Sequence, residues 1–108
     1  MKKYVSLDFV GVETVANQIN ATGKTHFRVD FWTPDATQLR IKLVDFGPNG
    51  AFDGGDDTEH ELIFESPAQG QWVSLDLPLS SFTGLTRRNN LAQLIFAAQP
   101  AGGATVYI

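Results

Sequence analysis

The chain has 108 residues, the length of one domain. Its 43% hydrophobic content and formal net charge of −4 exclude intrinsic disorder, and no apolar stretch is long enough for a transmembrane helix. The absence of cysteine excludes disulfides and thiolate chemistry, and the acidic balance argues against nucleic acid as a partner.

Apolar residues alternate with polar ones in seven short segments, which predicts seven strands. The first segment places Val5, Leu7 and Phe9 on one common face. Turn signals rich in glycine, proline, asparagine and aspartate separate the segments. The predicted strands are residues 3–10, 26–32, 38–46, 59–65, 71–77, 91–98 and 104–108.

Two further segments have their own patterns. Residues 12–19 have helical apolar spacing, but their asparagines and β-branched valines favour extended chain with a turn. Residues 79–82, directly after Pro78, predict a single 3₁₀ or helical turn. Strands at this spacing predict an all-β fold, an antiparallel β-sandwich formed by residues 1–108 as one domain.

The first residues do not predict a signal peptide. Lys2 and Lys3 are followed by an alternating segment rather than by a continuous apolar run. If the protein is exported, the signal therefore lies outside this sequence.

Three segments together resemble a known family. Residues 72–82 (WVSLDLPLSSF) resemble a signature of carbohydrate-binding modules with the galactose-binding-like jelly-roll fold. Residues 26–34 followed by 39–47, and residues 54–61, look like modules attached to bacterial polysaccharide-degrading enzymes. The resemblance extends from about Tyr4 to Ile108. It implies a secreted or extracellular location, as part of a larger bacterial protein.

The chain departs from that family at both ends. Family members usually have further strands before the equivalent of Lys3 and a closing strand after the equivalent of Ile108. The resemblance thus implies a truncated module. A truncated sandwich leaves strand edges unpaired, so we expect the chain to form a homo-oligomer through those edges.

Sugar binding requires aromatic faces that stack on pyranose rings and polar groups that satisfy the hydroxyls. A polar strand face with one large aromatic residue predicts such a site, although Trp32 alternatively caps the sandwich. Trp72 is expected to be structural, packed near Leu77 and Phe82. The candidate ligand-binding residues are Trp32, His26, Arg28, Asp30, Arg40, Lys42 and Gln93.

The acidic segment from Asp45 to Glu59 suggests a structural calcium ion, because Ca²⁺ binds six to eight oxygen ligands. The resemblance points the same way, since modules of this kind often hold such an ion. The alternative is a solvated loop whose aspartates cap their own turns. The candidate metal ligands are Asp45, Asp53, Asp56, Asp57 and Glu59.

No catalytic motif is present. His26 and His60 lack triad companions, and the acids lie in glycine-rich turns that hold carboxylates poorly at catalytic distances. We therefore expect a non-catalytic carbohydrate-binding module that holds an appended enzyme near a polysaccharide, with no membrane or nucleic-acid partner. The alternative is a structural or self-associating β-sandwich without a sugar ligand.

Overall fold

A computed structural model of the chain describes residues 1–50 and 56–108. These residues contain eight strands and two 3₁₀ turns, Val15–Asn17 and Leu79–Ser81. In chain order the strands are β1 Lys3–Leu7, β2 Phe9–Glu13, β3 His26–Trp32, β4 Gln38–Asp45, β5 Thr58–Glu65, β6 Trp72–Pro78, β7 Leu91–Gln99 and β8 Ala104–Tyr107.

The strands form two four-stranded antiparallel sheets. Sheet A has the order β1-β8-β3-β6, and sheet B has the order β2-β7-β4-β5. Strand β3 pairs with β6 along its whole length, whereas β8 meets β3 only where Tyr107 lies opposite Trp32. The protein is therefore an all-β antiparallel sandwich, as predicted. Strands β3 and β4 are neighbours in sequence but lie in different sheets.

The core lies between the sheets and consists of the inward side of each strand. Burial of each large aliphatic or aromatic side chain there contributes roughly 1.5–3 kcal/mol to stability. The main apolar cluster contains residues from both sheets, so it holds the two layers together. Its buried members are Leu7, Val29, Phe31, Ala36, Leu39, Ile41, Phe96, Ala98, Ala104 and Val106.

The first predicted strand is divided between the two sheets as β1 and β2. Ser6 has a φ of +52°, and the pairing of β1 with β8 is irregular between Tyr4 and Leu7. This bulge breaks the alternation, because an extra residue moves the following side chains to the other face. Leu7 is buried, but Val5 and Phe9 are exposed. The predicted common face of these three residues is therefore wrong.

The segment after β2 forms extended chain and a short 3₁₀ turn rather than a long helix, as predicted. Ile19 exchanges two backbone hydrogen bonds with Leu91, at 2.9 and 3.0 Å. The Gln18 side chain donates from Nε2 to the Gly50 carbonyl at 2.6 Å. These contacts attach the segment to the start of β7. The turn predicted after Pro78 is also present, at Leu79–Ser81.

The turn between β3 and β4 is organised by one buried hydroxyl group. Thr33 donates from Oγ1 to the Thr105 carbonyl at 2.7 Å and accepts from the Ala36 amide at 3.0 Å. Thr33 and Ala36 are both buried, so their hydrogen bond lies where water has little access, whereas Thr105 is half-buried. The hydroxyl therefore fixes the chain reversal that carries it from sheet A to sheet B.

We predict that Thr33→Val lowers the free energy of unfolding by about 2 kcal/mol, because it leaves the buried Ala36 amide and the half-buried Thr105 carbonyl without their partner at nearly constant volume. Urea denaturation followed by circular dichroism measures this change. The matched control is Thr37→Val, whose exposed hydroxyl bonds the Gln99 carbonyl at 3.2 Å. Equal losses in the two variants would contradict the prediction.

Candidate functional site

Three aromatic side chains form one row across sheet A. Trp32 of β3 lies opposite Tyr107 of β8 on one side and Trp72 of β6 on the other. The neighbouring residue Phe31 is buried in the core, so strand alternation directs the row to the outer face. We call Trp32, Trp72 and Tyr107 the aromatic row.

The aromatic row surrounds a shallow groove. The rings of Trp32 and Tyr107 meet edge to face, with centroids 5.3 Å apart and an interplanar angle of 85°. Trp72 is 54% exposed, and a groove of about 280 Å³ is lined by the aromatic row and Met1. Lys3 places its Nζ 5.5 Å from the Tyr107 ring centroid. The groove therefore presents ring surface to solvent, and the Lys3 ammonium group lies beside the Tyr107 ring.

Polar residues continue the same outer face toward the other end of β3. Asp30 lies opposite Ser74, and Arg28 lies opposite Asp76. All four side chains are exposed. Successive outward rows are about 7 Å apart, since they are separated by two residues of a strand. A ligand along β3 and β6 would thus meet aromatic rings first and then hydrogen-bonding groups.

The last outward residue of β3 is His26. It lies opposite Pro78, and its Nδ1 is 2.9 Å from the Thr25 Oγ1. Trp32, Asp30, Arg28 and His26 therefore share one face of sheet A, as the alternation predicted.

The other candidate ligand residues are on the opposite side of the sandwich. Arg40 and Lys42 belong to β4, and Gln93 belongs to β7, both strands of sheet B. Arg40 pairs with Glu61 at 3.5 Å, and Lys42 pairs with Glu59 at 3.1 Å. The expected single surface is therefore wrong, because the turn after β3 carries the chain to the other sheet.

Trp72 was not among the candidate ligand-binding residues, and Tyr107 is compatible from sequence with either a binding or a structural role. Trp72 was expected to be structural, but it is one of the most exposed large apolar residues of the described chain. The alternation in the sequence already indicated that Trp72 is exposed, since Trp72 lies on the same side of the strand as the polar residues Ser74 and Asp76. The pairing that places Tyr107 beside Trp32 is long-range and has no comparable signal in the sequence.

Asp45, the first candidate metal ligand, is fully buried and binds backbone groups. Its Oδ1 accepts from the Gly47 amide at 2.7 Å, and its Oδ2 accepts from the Asn90 amide at 2.8 Å. The Asn90 side chain in turn donates from Nδ2 to the Gly47 carbonyl at 2.7 Å. Asp45 therefore ties the loop after β4 to the start of β7, as in the alternative interpretation of the acidic segment.

The remaining acidic candidates separate. Glu59 faces Lys42 on the outside of sheet B. Asp56 accepts from the Asn49 amide on Oδ2 at 3.3 Å, and its Oδ1 is buried with no hydrogen-bond partner among the described residues. Asp57 follows Asp56 in the chain, and Asp53 lies outside the described residues. Residues 1–50 and 56–108 contain no group of three or more side chains arranged to hold a metal ion.

Asp56 also packs closely against the turn that follows β4. Gly47 has a φ of +73°, and a Cβ atom there would lie 2.5 Å from the Asp56 carbonyl oxygen. Only glycine is therefore accommodated at this position. The Asp56 carboxylate therefore keeps one buried oxygen without a hydrogen-bond partner among the described residues, which is unfavourable for a charged group.

No protein-family model, curated protein or solved structure matches the chain. No helix in the described parts of the chain is long and apolar enough to cross a membrane.

We predict that Asp45→Ala lowers the free energy of unfolding by about 3 kcal/mol, because two backbone amides lose their buried acceptor. Asp30→Ala is the control, since its exposed carboxylate should matter by less than about 0.5 kcal/mol. Urea denaturation of both variants gives the comparison. A loss in Asp45→Ala no larger than in Asp30→Ala would show that the loop does not depend on this carboxylate.

Proposed function

We propose that the protein is a non-catalytic carbohydrate-binding module and that the aromatic row is its sugar-binding surface. The observation that carries this proposal is the register that aligns Trp32, Trp72 and Tyr107 on one exposed face. Aromatic rings offer apolar faces to the C–H surfaces of sugars at low conformational cost. An exposed aromatic row is otherwise unfavourable in a soluble sandwich, which supports a binding role.

The polar rows beside the aromatic row supply the other requirement. Asp30 and Ser74 lie one row away, and Arg28 and Asp76 lie two rows away. Carboxylate, hydroxyl and guanidinium groups satisfy sugar hydroxyls that lose their water on binding. The strip along β3 and β6 is about 20 Å long, since six residue steps each advance about 3.3 Å. A strip of this length suits a chain of sugars better than a single one.

A module of this kind would act by proximity. Held in a larger protein, it would keep an appended enzyme near a polymeric glycan and so raise the effective concentration of substrate. This role requires no reactive group in the module. His60, for example, accepts from the Gly84 amide at 2.9 Å and packs edge to face against Phe82, which gives it a structural function.

The second candidate is a self-associating structural domain. The observation that favours it is on sheet B, where Phe9 is 70% exposed on the outer face at the β2 edge. Ile63 lies on the same row at the β5 edge. In affinity electrophoresis, no polysaccharide would slow the migration of such a domain. The domain would associate with other copies through these edges.

We predict that Trp72→Ala weakens binding to the preferred polysaccharide at least about tenfold, since exposed aromatic anchors dominate small interfaces. Affinity electrophoresis on laminarin, xylan, alginate and galactan identifies the ligand and measures the loss. Phe9→Ala is the control, because it removes an exposed aromatic residue from the other sheet. Equal retardation of Trp72→Ala and the unchanged protein would refute the role of the aromatic row.

Calcium is a separate proposal, narrowed to Asp56 and its neighbour Asp57. A bound ion would stabilise the folded state by mass action, so we expect saturating Ca²⁺ to raise the melting temperature and EDTA to reverse the rise. Asp56→Asn should abolish the response, while Asp76→Asn on sheet A should retain it. A melting temperature that changes with neither calcium nor EDTA would refute the calcium proposal.

A further inference from the structure

A second cleft lies at the end of β3 that is farthest from the aromatic row. Its volume is about 390 Å³, and its lining residues are 22–26, Pro78, Ser80 and Arg88. Pro78 lies opposite His26, so the cleft is on the β6 side of β3 and on the same outer face as the aromatic row. We call it the basic cleft, because its lining contains Lys24, His26 and Arg88 and no acidic residue of the described chain.

Hydrogen bonds fix the loop that carries Lys24. The Ala21 amide donates to the Arg88 carbonyl at 2.7 Å, and the Lys24 amide donates to the Ala21 carbonyl at 3.0 Å. The Asn20 Oδ1 accepts from the amide and from the hydroxyl of Thr22, at 3.1 and 2.6 Å. The backbone of the basic cleft is therefore held in place before a ligand arrives, which lowers the entropy cost of binding.

The side chains of the basic cleft supply donors without an acidic partner. The two ion pairs of the described chain are on sheet B, and neither involves Lys24 or Arg88. The His26 Nδ1 is 2.9 Å from the Thr25 hydroxyl, so its Nε2 is left to donate to a ligand. Ser80 adds an exposed hydroxyl group. Cationic and neutral donors in one cleft suit an anionic group.

Acidic residues separate the basic cleft from the aromatic row. Asp76 lies opposite Arg28 in the first row beyond the cleft, and Asp30 lies opposite Ser74 in the second. Arg28 offsets only one of these two carboxylates, so the middle of the strip keeps a negative charge. An anionic group of a ligand is therefore favoured at the basic cleft and disfavoured in the middle of the strip. The aromatic row is about 20 Å from His26, at six residue steps of β3.

We infer that the basic cleft binds an anionic substituent of the polysaccharide whose neutral sugars stack on the aromatic row. This inference rests on the proposed function, since one sugar chain along β3 and β6 makes both contacts. The substituent is a uronic-acid carboxylate or a sulfate ester, because both offer oxygen acceptors to the guanidinium group of Arg88 and the ammonium group of Lys24. The preferred ligand is a mainly neutral polysaccharide with occasional acidic groups. A polymer with a charge on every sugar fits less well.

The test compares polysaccharides that differ only in their acidic groups. Affinity electrophoresis first ranks three sparsely acidic polymers, glucuronoxylan, highly methyl-esterified pectin and agaropectin, against alginate, which is charged on every sugar. The polymer that binds most tightly is then carboxyl-reduced or desulfated, which removes the charge and keeps the linkages. We expect a sparsely acidic polymer to rank first and its neutral form to bind about tenfold more weakly. The treatment that weakens binding distinguishes a carboxylate from a sulfate.

Matched double variants locate the anionic group. Lys24→Gln with Arg88→Gln should weaken binding of the acidic polymer about tenfold and change binding of its neutral form less than about twofold. Lys42→Gln with Arg40→Gln removes the same two charges from β4 and should change neither binding by more than about twofold. Trp72→Ala should weaken binding of both forms, because the aromatic row contacts the neutral sugars. Circular dichroism checks that each variant is folded.

The contrary results separate this inference from the proposed function. Equal binding of the acidic and neutral forms would overturn the basic cleft and leave the aromatic row its role. Equal losses in the two double variants would assign the effect to net charge rather than to the cleft. Tighter binding of alginate than of every sparsely acidic polymer would contradict the position of the anionic group. If the folded protein binds no polysaccharide, the proposed function fails together with this inference.

Discussion

The register between β3 and β6 is the constraint on which the rest of the structure depends. Seven consecutive pairs join these strands, so the face of every residue is decided once one pair is placed. Burial of Phe31 and Val73 against sheet B directs Trp32 and Trp72 to solvent as a pair. A slip of β6 by one residue would turn Trp72 toward the core and expose Val73. The energetic demand of the core therefore creates the candidate binding surface.

Local pattern predicted the strands, because alternation and turn residues act within a few positions of each other. It did not predict which strands share a sheet. Arg40 and Arg28 have similar surroundings in sequence, yet the Thr33 turn sends them to opposite sides of the sandwich. The prediction also failed at Ser6. Its left-handed backbone changes which face of the sheet the following side chains point to, and a serine in the sequence does not indicate such a conformation. Which strands pair, and which face of the sheet a side chain points to after a bulge, depend on tertiary structure and cannot be predicted from short-range periodicity.

The acidic residues show the same limit for chemistry. Residue type identifies the oxygen-bearing side chains, but their partners come from distant parts of the chain. Asp45 meets the amide of Asn90, and Glu59 meets Lys42 across two strands. Asp56 keeps one buried carboxylate oxygen without a hydrogen-bond partner among the described residues. Composition therefore indicates what a cluster can bind, whereas topology decides which of its members remain available.

Pro78 has a consequence for solubility. It lies opposite His26 at a non-hydrogen-bonded position, so its nitrogen faces the outer edge of sheet A, where a neighbouring strand would require a donor. Proline has no N–H to give there. An edge strand that ends in this way is a poor template for amyloid-like stacking, and proline thus acts as a gatekeeper against aggregation at this border.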